Sequence, residues 1–225
     1  RHAQVCRWMD CWTTLEIVTM NTTSWTRNEA FDKFGFLPVK QICDPKFLYC
    51  DIPSERGQYN YYNNDPNFFN HNPVESQVEG STSRYWFPQY RQLHTDIRPK
   101  LENILGRKLY NTYYYDRFYF PGQELVKHID RPACEISVTI NCSTNLKGKD
   151  ADWPIWVETP EGVAESTVLH PGDGMIYKGC ERPHWRDPMP EPKQWFGNTE
   201  YYYHQIFFHY VLADGNHAHC AGDRG

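Results

Sequence analysis

Two histidines and one aspartate stand at spacings that suit a single metal ion. His128 and Asp130 flank Ile129, and His184 opens His184-Trp185-Arg186 further along the chain. Two histidines and a carboxylate make a facial triad, which holds Fe(II) on one side and leaves positions open for other ligands. Zinc accepts the same donor types. In a strand, residues i and i+2 point to the same face. The spacing therefore predicts that His128 and Asp130 grip one ion from one strand. It also predicts that Arg186 lies beside His184 on the inner face. A fixed cation near an open metal site is what an anionic co-substrate needs. The ordinary alternatives are a hydrogen-bonded His-Asp pair and an ion pair of Arg186 with Asp187 or Glu181.

These residues need strands to aim them, and the sequence offers strands in order. Tyr113 to Phe120 is rich in β-formers. Pro121-Gly122 makes a turn, and Glu124 to Asp130 resumes as a strand. Cys134 to Cys142 alternates and is β-branched in its middle. Glu158 to Glu165 reads as a turn between two strands. Leu169-His170-Pro171-Gly172-Asp173-Gly174 is a tight turn leading into Met175-Ile176-Tyr177 and the distal histidine. Pro188 to Pro192 is a loop just past it, and a long strand runs from Tyr201 to Leu212.

That succession, with YFPGQELVKHIDRP, HPGDGMIYKGCERPHWRDP and YHQIFFHYV, resembles the Fe(II)/2-oxoglutarate-dependent dioxygenases. The likeness is to their prolyl 4-hydroxylase-like branch, and to bacterial and viral members with HWR at the distal ligand. It covers somewhat under half of the chain. It implies a mainly β fold: a double-stranded β-helix of jelly-roll, cupin-like type with flanking N-terminal helices and a core over about 109–212. It implies Fe(II) on His128, Asp130 and His184, with 2-oxoglutarate and O2 as co-substrates and ascorbate as a reductant. The substrate, a small molecule or a peptide, would be hydroxylated with release of succinate and CO2.

For the distal carboxylate of 2-oxoglutarate the candidates are Arg186 and Lys193. Many members instead carry the anchoring Arg or Lys on the last strand, and here that strand has His204 and Gln205. Tyr115 and Tyr177 are candidate hydroxyl donors to the same carboxylate, with a place in the core as the ordinary reading of each. An aspartate at 130 argues against a halogenase, which needs a small residue there. A non-catalytic jelly-roll binding module, or a cupin-type metalloenzyme that does not use 2-oxoglutarate, are the competing readings.

Composition sets bounds on the rest. The chain of 225 residues fits one domain with N-terminal elaboration. No apolar run is long enough for a membrane span. A net charge of −5 gives no footprint for a nucleic-acid backbone. The eight cysteines form no CxxC and suggest reduced thiols and a cytoplasmic location. Asn21-Thr22-Thr23 and Asn141-Cys142-Ser143 are read as chance matches to the glycosylation pattern. Residues 1–19 lack the apolar stretch of a signal peptide. They read as upstream sequence ahead of Met20, or as a native helix packed on the domain that runs over 20–212.

Asn28 to Phe34 is expected as a short helix capped by Asn28, followed by an edge strand at Gly35 to Val39. Gln58 to Pro73, biased to Asn and aromatics, is expected as a loop. Ser81 to Leu105 is expected as a helix with Pro88 in its first turn, a kink or break at Pro99 and Gly106 as C-cap. His204 and His209, at odd spacing, must face opposite sides of the last strand. Residues 213–225, with His217-Ala218-His219-Cys220, are expected to be a flexible tail.

Overall fold

The computed structural model describes residues 26–192 and 200–225. The expectations for residues 1–19 and for Lys193 lie outside these. The chain begins with α1 (Arg27–Phe34) and β1 (Phe36–Val39), then β2 (Gly57–Tyr61), β3 (Phe69–Asn72) and β4 (Thr82–Tyr85). α2 (Arg91–Leu105) leads into β5 (Leu109–Tyr119), β6 (Leu125–His128) and β7 (Ile136–Thr144). β8 (Ile155–Glu158), β9 (Ala164–Thr167), β10 (Gly174–Tyr177), β11 (His184–Arg186) and β12 (Tyr203–Leu212) complete the fold.

The strands form two sheets, an eight-stranded one in the order β1-β10-β7-β12-β5-β4-β2-β3 and a four-stranded one in the order β6-β11-β8-β9. Their inner faces pack on one another as a jelly roll. Trp153, next to β8, meets Tyr203 of β12 edge-on at 5.1 Å. Ile155 and Val157 join Met175, Tyr177 and Phe36 in a shared apolar cluster.

Both faces of β5 and β12 are covered, because α2 packs behind the larger sheet. Ile97, Leu101, Ile104 and Leu105 of the helix meet Tyr114, Ile206, Phe208 and Tyr210. Alternation then fixes the two faces. Tyr113, Tyr115, Tyr203 and Phe207 point between the sheets, and Tyr114, Ile206 and Phe208 point to the helix. β1 is an edge strand, as expected, pairing with β10 alone; an edge tolerates Pro38, which has no N–H to donate.

The turn before β10 shows why its residues are needed. The buried Asp173 carboxylate accepts from His170 N (3.2 Å), Gln41 N (3.0 Å) and Lys40 Nζ (2.6 Å). Gly172 has φ +91°, and a Cβ there would lie 2.5 Å from the carbonyl oxygen of Cys43.

Several local expectations are corrected. α1 is capped by Thr26, not Asn28, and the Thr26 amide donates to the Glu29 carboxylate at 2.8 Å. Thr82 to Tyr85 is a strand rather than the start of a helix. It pairs with β2 on one side and β5 on the other, and tertiary pairing overrides local preference. Pro88 starts a 3-10 turn, and the helix proper begins at Arg91. It runs through Pro99. Pro99 and Thr95, whose carbonyl loses its helical partner, are both exposed residues. Gly106 caps the helix at φ +65°.

The Asn-rich segment 58–73 is a hairpin with a 3-10 turn, not an irregular loop. Aromatic pairs across β2 and β3 hold it: Tyr59 with His71 at 4.3 Å and Tyr61 with Phe69 at 5.3 Å. The tail is placed by specific contacts rather than left free. Arg131 pairs with Asp223 at 2.6 Å, Trp86 Nε1 donates to Arg224 O at 2.8 Å, and Gly222 N donates to Asn111 O at 2.9 Å.

Candidate metal centre and its anion cradle

β6 and β11 are antiparallel neighbours, and His128 and His184 are direct cross-strand partners. Their ring centroids lie 4.4 Å apart. Asp130 Oδ1 stands 3.4 Å from His128 Nε2 and 3.6 Å from His184 Nε2. The three ligand atoms lie within 4.8 Å of one another. One detail of the expectation is corrected: β6 ends at His128, so Asp130 is not on the strand. The Asp130 amide donates to Gly179 O at 2.9 Å, and its second oxygen faces Ser137 Oγ at 3.5 Å. Pro132, two residues on, has no N–H with which to extend a ladder.

Both histidines are prepared in the same way. His128 Nδ1 lies 2.8 Å from Val126 O, and His184 Nδ1 lies 3.0 Å from Arg182 O. A carbonyl only accepts, so each Nδ1 carries a proton, and in the neutral imidazole each Nε2 keeps the lone pair that a metal would take. Burial pushes the pKa of His184 down. Burial pushes His128 the same way, but hydrogen bonds to Asp130 and Val126 outweigh it and its pKa is raised. Burial would raise Asp130, yet the histidines around it hold it below the usual carboxylate range. The donor set is thus two imidazole nitrogens and one anionic oxygen, as a metal requires.

Arg186 is buried with His184, as their shared face predicts. Its guanidinium lies over the rings of Trp153 (4.5 Å) and Tyr203 (4.9 Å). Nη1 donates to Trp153 O at 2.7 Å, while Nε and Nη2 have no hydrogen-bond partner among the described residues. No ion pair joins Arg186 to Asp187, Glu181 or any other acid among the described residues.

Of the two tyrosines singled out in the sequence, Tyr177 is buried against His184 at 4.6 Å. Tyr115 is not brought to Arg186. It stacks on Tyr85 (4.8 Å) and Phe207 (4.7 Å), below a different arginine, Arg117. Tyr203, whose ring lies against the Arg186 guanidinium, donates its hydroxyl to Leu169 O at 3.0 Å.

The structure adds residues with no local signature. Gln77 Oε1 accepts from Arg117 Nη2 at 2.8 Å, which turns its amide nitrogen toward His128 Nε2, 3.3 Å away. The fully buried Arg117 also holds Glu75 at 2.9 Å. His209 faces inward and His204 faces the helix, as odd spacing requires. His209 Nδ1 meets Ser137 Oγ at 2.8 Å, and burial lowers its pKa to about 4.

Two other clusters carry metal-binding residue types. In Cys50, Asp116 and His204 the place of a cation is taken, because Arg84 donates to Asp116 at 3.1 Å and to Cys50 at 2.7 Å. Asp130, Cys134 and His209 share the triad's own carboxylate, and burial raises the Cys134 thiol, which disfavours the thiolate a metal needs.

No family model matches the chain, and no curated protein is similar to it in sequence. Its fold is that of the 2-oxoglutarate–Fe(II) oxygenases. An oxidoreductase of that family from Burkholderia pseudomallei superposes with a TM-score of 0.55 at 9% identity, over 82% of this chain and 89% of that one. A prolyl hydroxylase from Trichoplax adhaerens, in complex with a hypoxia inducible factor peptide fragment, gives 0.52 at 13% identity over 82% and 87%. HygX from Streptomyces hygroscopicus, with nickel and 2-oxoglutarate bound, gives 0.50 at 10% over 83% and 87%. At such identities the likeness establishes the fold alone.

Proposed function

We propose that the protein is a non-haem Fe(II)/2-oxoglutarate-dependent dioxygenase that hydroxylates a small molecule or a peptide. The observation that carries the reading is Arg186. A guanidinium buried to 1% exposure, with two donor nitrogens unpaired and no acid opposite among the described residues, is costly unless an anion joins it. It shares a three-residue strand with His184. A dicarboxylate that chelates a metal at one end and meets a guanidinium fork at the other fits that pairing.

His128, Asp130 and His184 would hold the iron, with Arg186 taking the distal carboxylate and Tyr203 and Trp153 walling its stem. When bound, iron and 2-oxoglutarate supply the oxidising chemistry, in which O2 is consumed and succinate, CO2 and hydroxylated product leave. The chain's own part is positional. Val126 O and Arg182 O fix the two imidazole tautomers, Gly179 O and Ser137 orient the carboxylate, and the closed sheets exclude water around Arg186. Tyr177 packs the distal imidazole in place. Gln77 offers an amide donor beside the ligating edge of His128. Lys193 is the alternative anchor. The six described cysteines are all free thiols, which supports a cytoplasmic setting. No helix among the described residues is long and apolar enough to cross a membrane.

The test is succinate formation from 2-oxoglutarate by the purified protein with Fe(II) and ascorbate, with and without a panel of metabolites and peptides. Turnover absent from His184→Ala is the expected result. Succinate no higher than in His184→Ala, with metal demonstrably bound, would rule the reading out in favour of a binding module or a cupin-type enzyme.

A further inference from the structure

A cavity of about 730 Å³ shares none of its lining residues with the triad or the Arg186 cradle. It lies among the β2–β3 hairpin, the start of α2 and the C-terminal segment. Neighbouring residues of the chain show which side of the sheet it occupies. Tyr85 stacks inward on Tyr115 at 4.8 Å, whereas Trp86 meets Tyr114 edge-on at 5.1 Å in the helix-side layer. Trp86 lines the cavity and Tyr85 does not, so the cavity opens toward the helix-side layer, although Trp86 also touches the inner cluster and the C-terminal wall runs past Arg131 through Asp223.

Its chemistry is one-sided. Tyr61, Tyr62 and Trp86 supply ring surface, and Arg91 and Arg224 supply charge. Among the described residues no Asp or Glu lines it, although the chain as a whole carries a net charge of −5. Both arginines are exposed, and neither guanidinium makes an ion pair or hydrogen bond among the described residues.

The walls are also held in costly conformations. Asn63, Asn64 and Trp86 are three of the four non-glycine residues with positive φ among those described, and all three line this cavity. A bulky residue at φ +61° persists only where its surroundings over-determine it. Here Trp86 N donates to Tyr114 O at 3.2 Å and its indole donates to Arg224 O at 2.8 Å. Asn64 Oδ1 accepts from Tyr114 at 2.8 Å. Trp86 and Asn64 are therefore held in place before any ligand arrives.

We propose that this cavity binds a planar ring carrying a carboxylate or a phosphate, at a second site independent of the iron centre. The ring lies against Trp86 and the tyrosines, and the anion takes the two guanidinium groups, which suit either oxyanion. Nucleotides and aromatic acids share this chemistry.

The experiment titrates the full chain with adenosine monophosphate and with indole-3-acetate, using adenosine and indole as uncharged counterparts. Calorimetry gives the affinity, and the indole N–H resonance of Trp86, assigned from Trp86→Phe, gives the location. At least one anion is expected to bind saturably and shift that resonance, at least about tenfold tighter than its uncharged counterpart. The double variant Arg91→Gln/Arg224→Gln, altered only at exposed side chains, is expected to lose about tenfold in affinity with its melting temperature kept. His184→Ala is expected to bind as the parent does. A phosphate-only response marks a nucleotide site, and a carboxylate-only response marks an aromatic-acid site. The proposal is overturned if neither anion moves the resonance, if the uncharged compounds bind as tightly, if the double variant binds unchanged, or if His184→Ala abolishes binding.

Discussion

Arg186 separates charge from geometry at the scale of one residue. Arg186→Lys keeps the charge and loses the fork, so the KM for 2-oxoglutarate should rise while Fe(II) affinity holds. Arg186→Ala should weaken co-substrate binding by roughly 2–5 kcal/mol, as truncating one member of a buried charge pair does. Steady-state kinetics on both variants, beside Lys193→Ala, decide between the candidate anchors. An unchanged KM in Arg186→Ala, with a raised one in Lys193→Ala, would move the anchor to the lysine. The cation was legible in the sequence because it lies two residues from His184 on a strand. Its neighbours Trp153 and Tyr203 were not, since both come from elements distant in the chain.

Elements meet at Gly179 and at His94, and each yields a test. A Cβ at Gly179 would lie 2.3 Å from Cys134 O and 2.6 Å from Asp130 Oδ2. Gly179→Ala should therefore displace the carboxylate, lowering both thermal stability and Fe(II) affinity. Gly162, in the turn after β8, meets nothing within 4 Å but has φ +78°. Gly162→Ala should cost only about 1–2 kcal/mol of backbone strain and leave metal affinity as it was. Equal loss of metal binding in both variants would refute the argument from close approach.

His94 joins α2 to β12, with Nε2 3.1 Å from His209 O, and burial lowers its pKa to about 3. An unfolded histidine titrates near 6.5. Between those values the unfolded chain binds the extra proton, so stability falls as pH drops from about 6.5 toward 3. His209, lowered to about 4, acts with the same sign. His94→Gln removes the proton site and keeps an amide donor. Its melting temperature should decline less steeply between pH 7 and pH 5, and an identical slope would show that His94 does not drive the acid response.

Over the whole molecule, the strand succession from Tyr113 to Leu212 was readable because each strand carries its own alternation and each turn its own Pro and Gly. Segments whose state depends on partners were not. Thr82–Tyr85 is a strand only because β2 and β5 flank it. The aromatic hairpin is set by rings that meet across it, and Gln77 and Ser137 reach the triad through folds of chain that no spacing encodes. Residues 213–225 misled for the same reason, since their polar, Gly-rich composition hides the contacts made by Asp223 and Arg224. Truncation after Ala213 should cost on the order of 2 kcal/mol through the lost ion pair and hydrogen bonds. Chemical denaturation measures it, and no change would mean that the tail merely rests on the surface.

β6 and β11, the strands that carry His128 and His184, span only four and three residues. So short a ladder is among the first parts of a sheet to open, and its amides should exchange with solvent early. His128 ends its strand and His184 begins its own, side by side at one end of the ladder, and an ion held by both would bolt the two strands together. Hydrogen–deuterium exchange with a redox-inert divalent ion such as Ni²⁺ should then slow sharply over 125–130 and 184–186. Exchange in the long β5–β12 ladder should scarcely change. Metal content would in that case set which part of the barrel breathes, and a mass spectrometer could read occupancy of the centre without any substrate in hand.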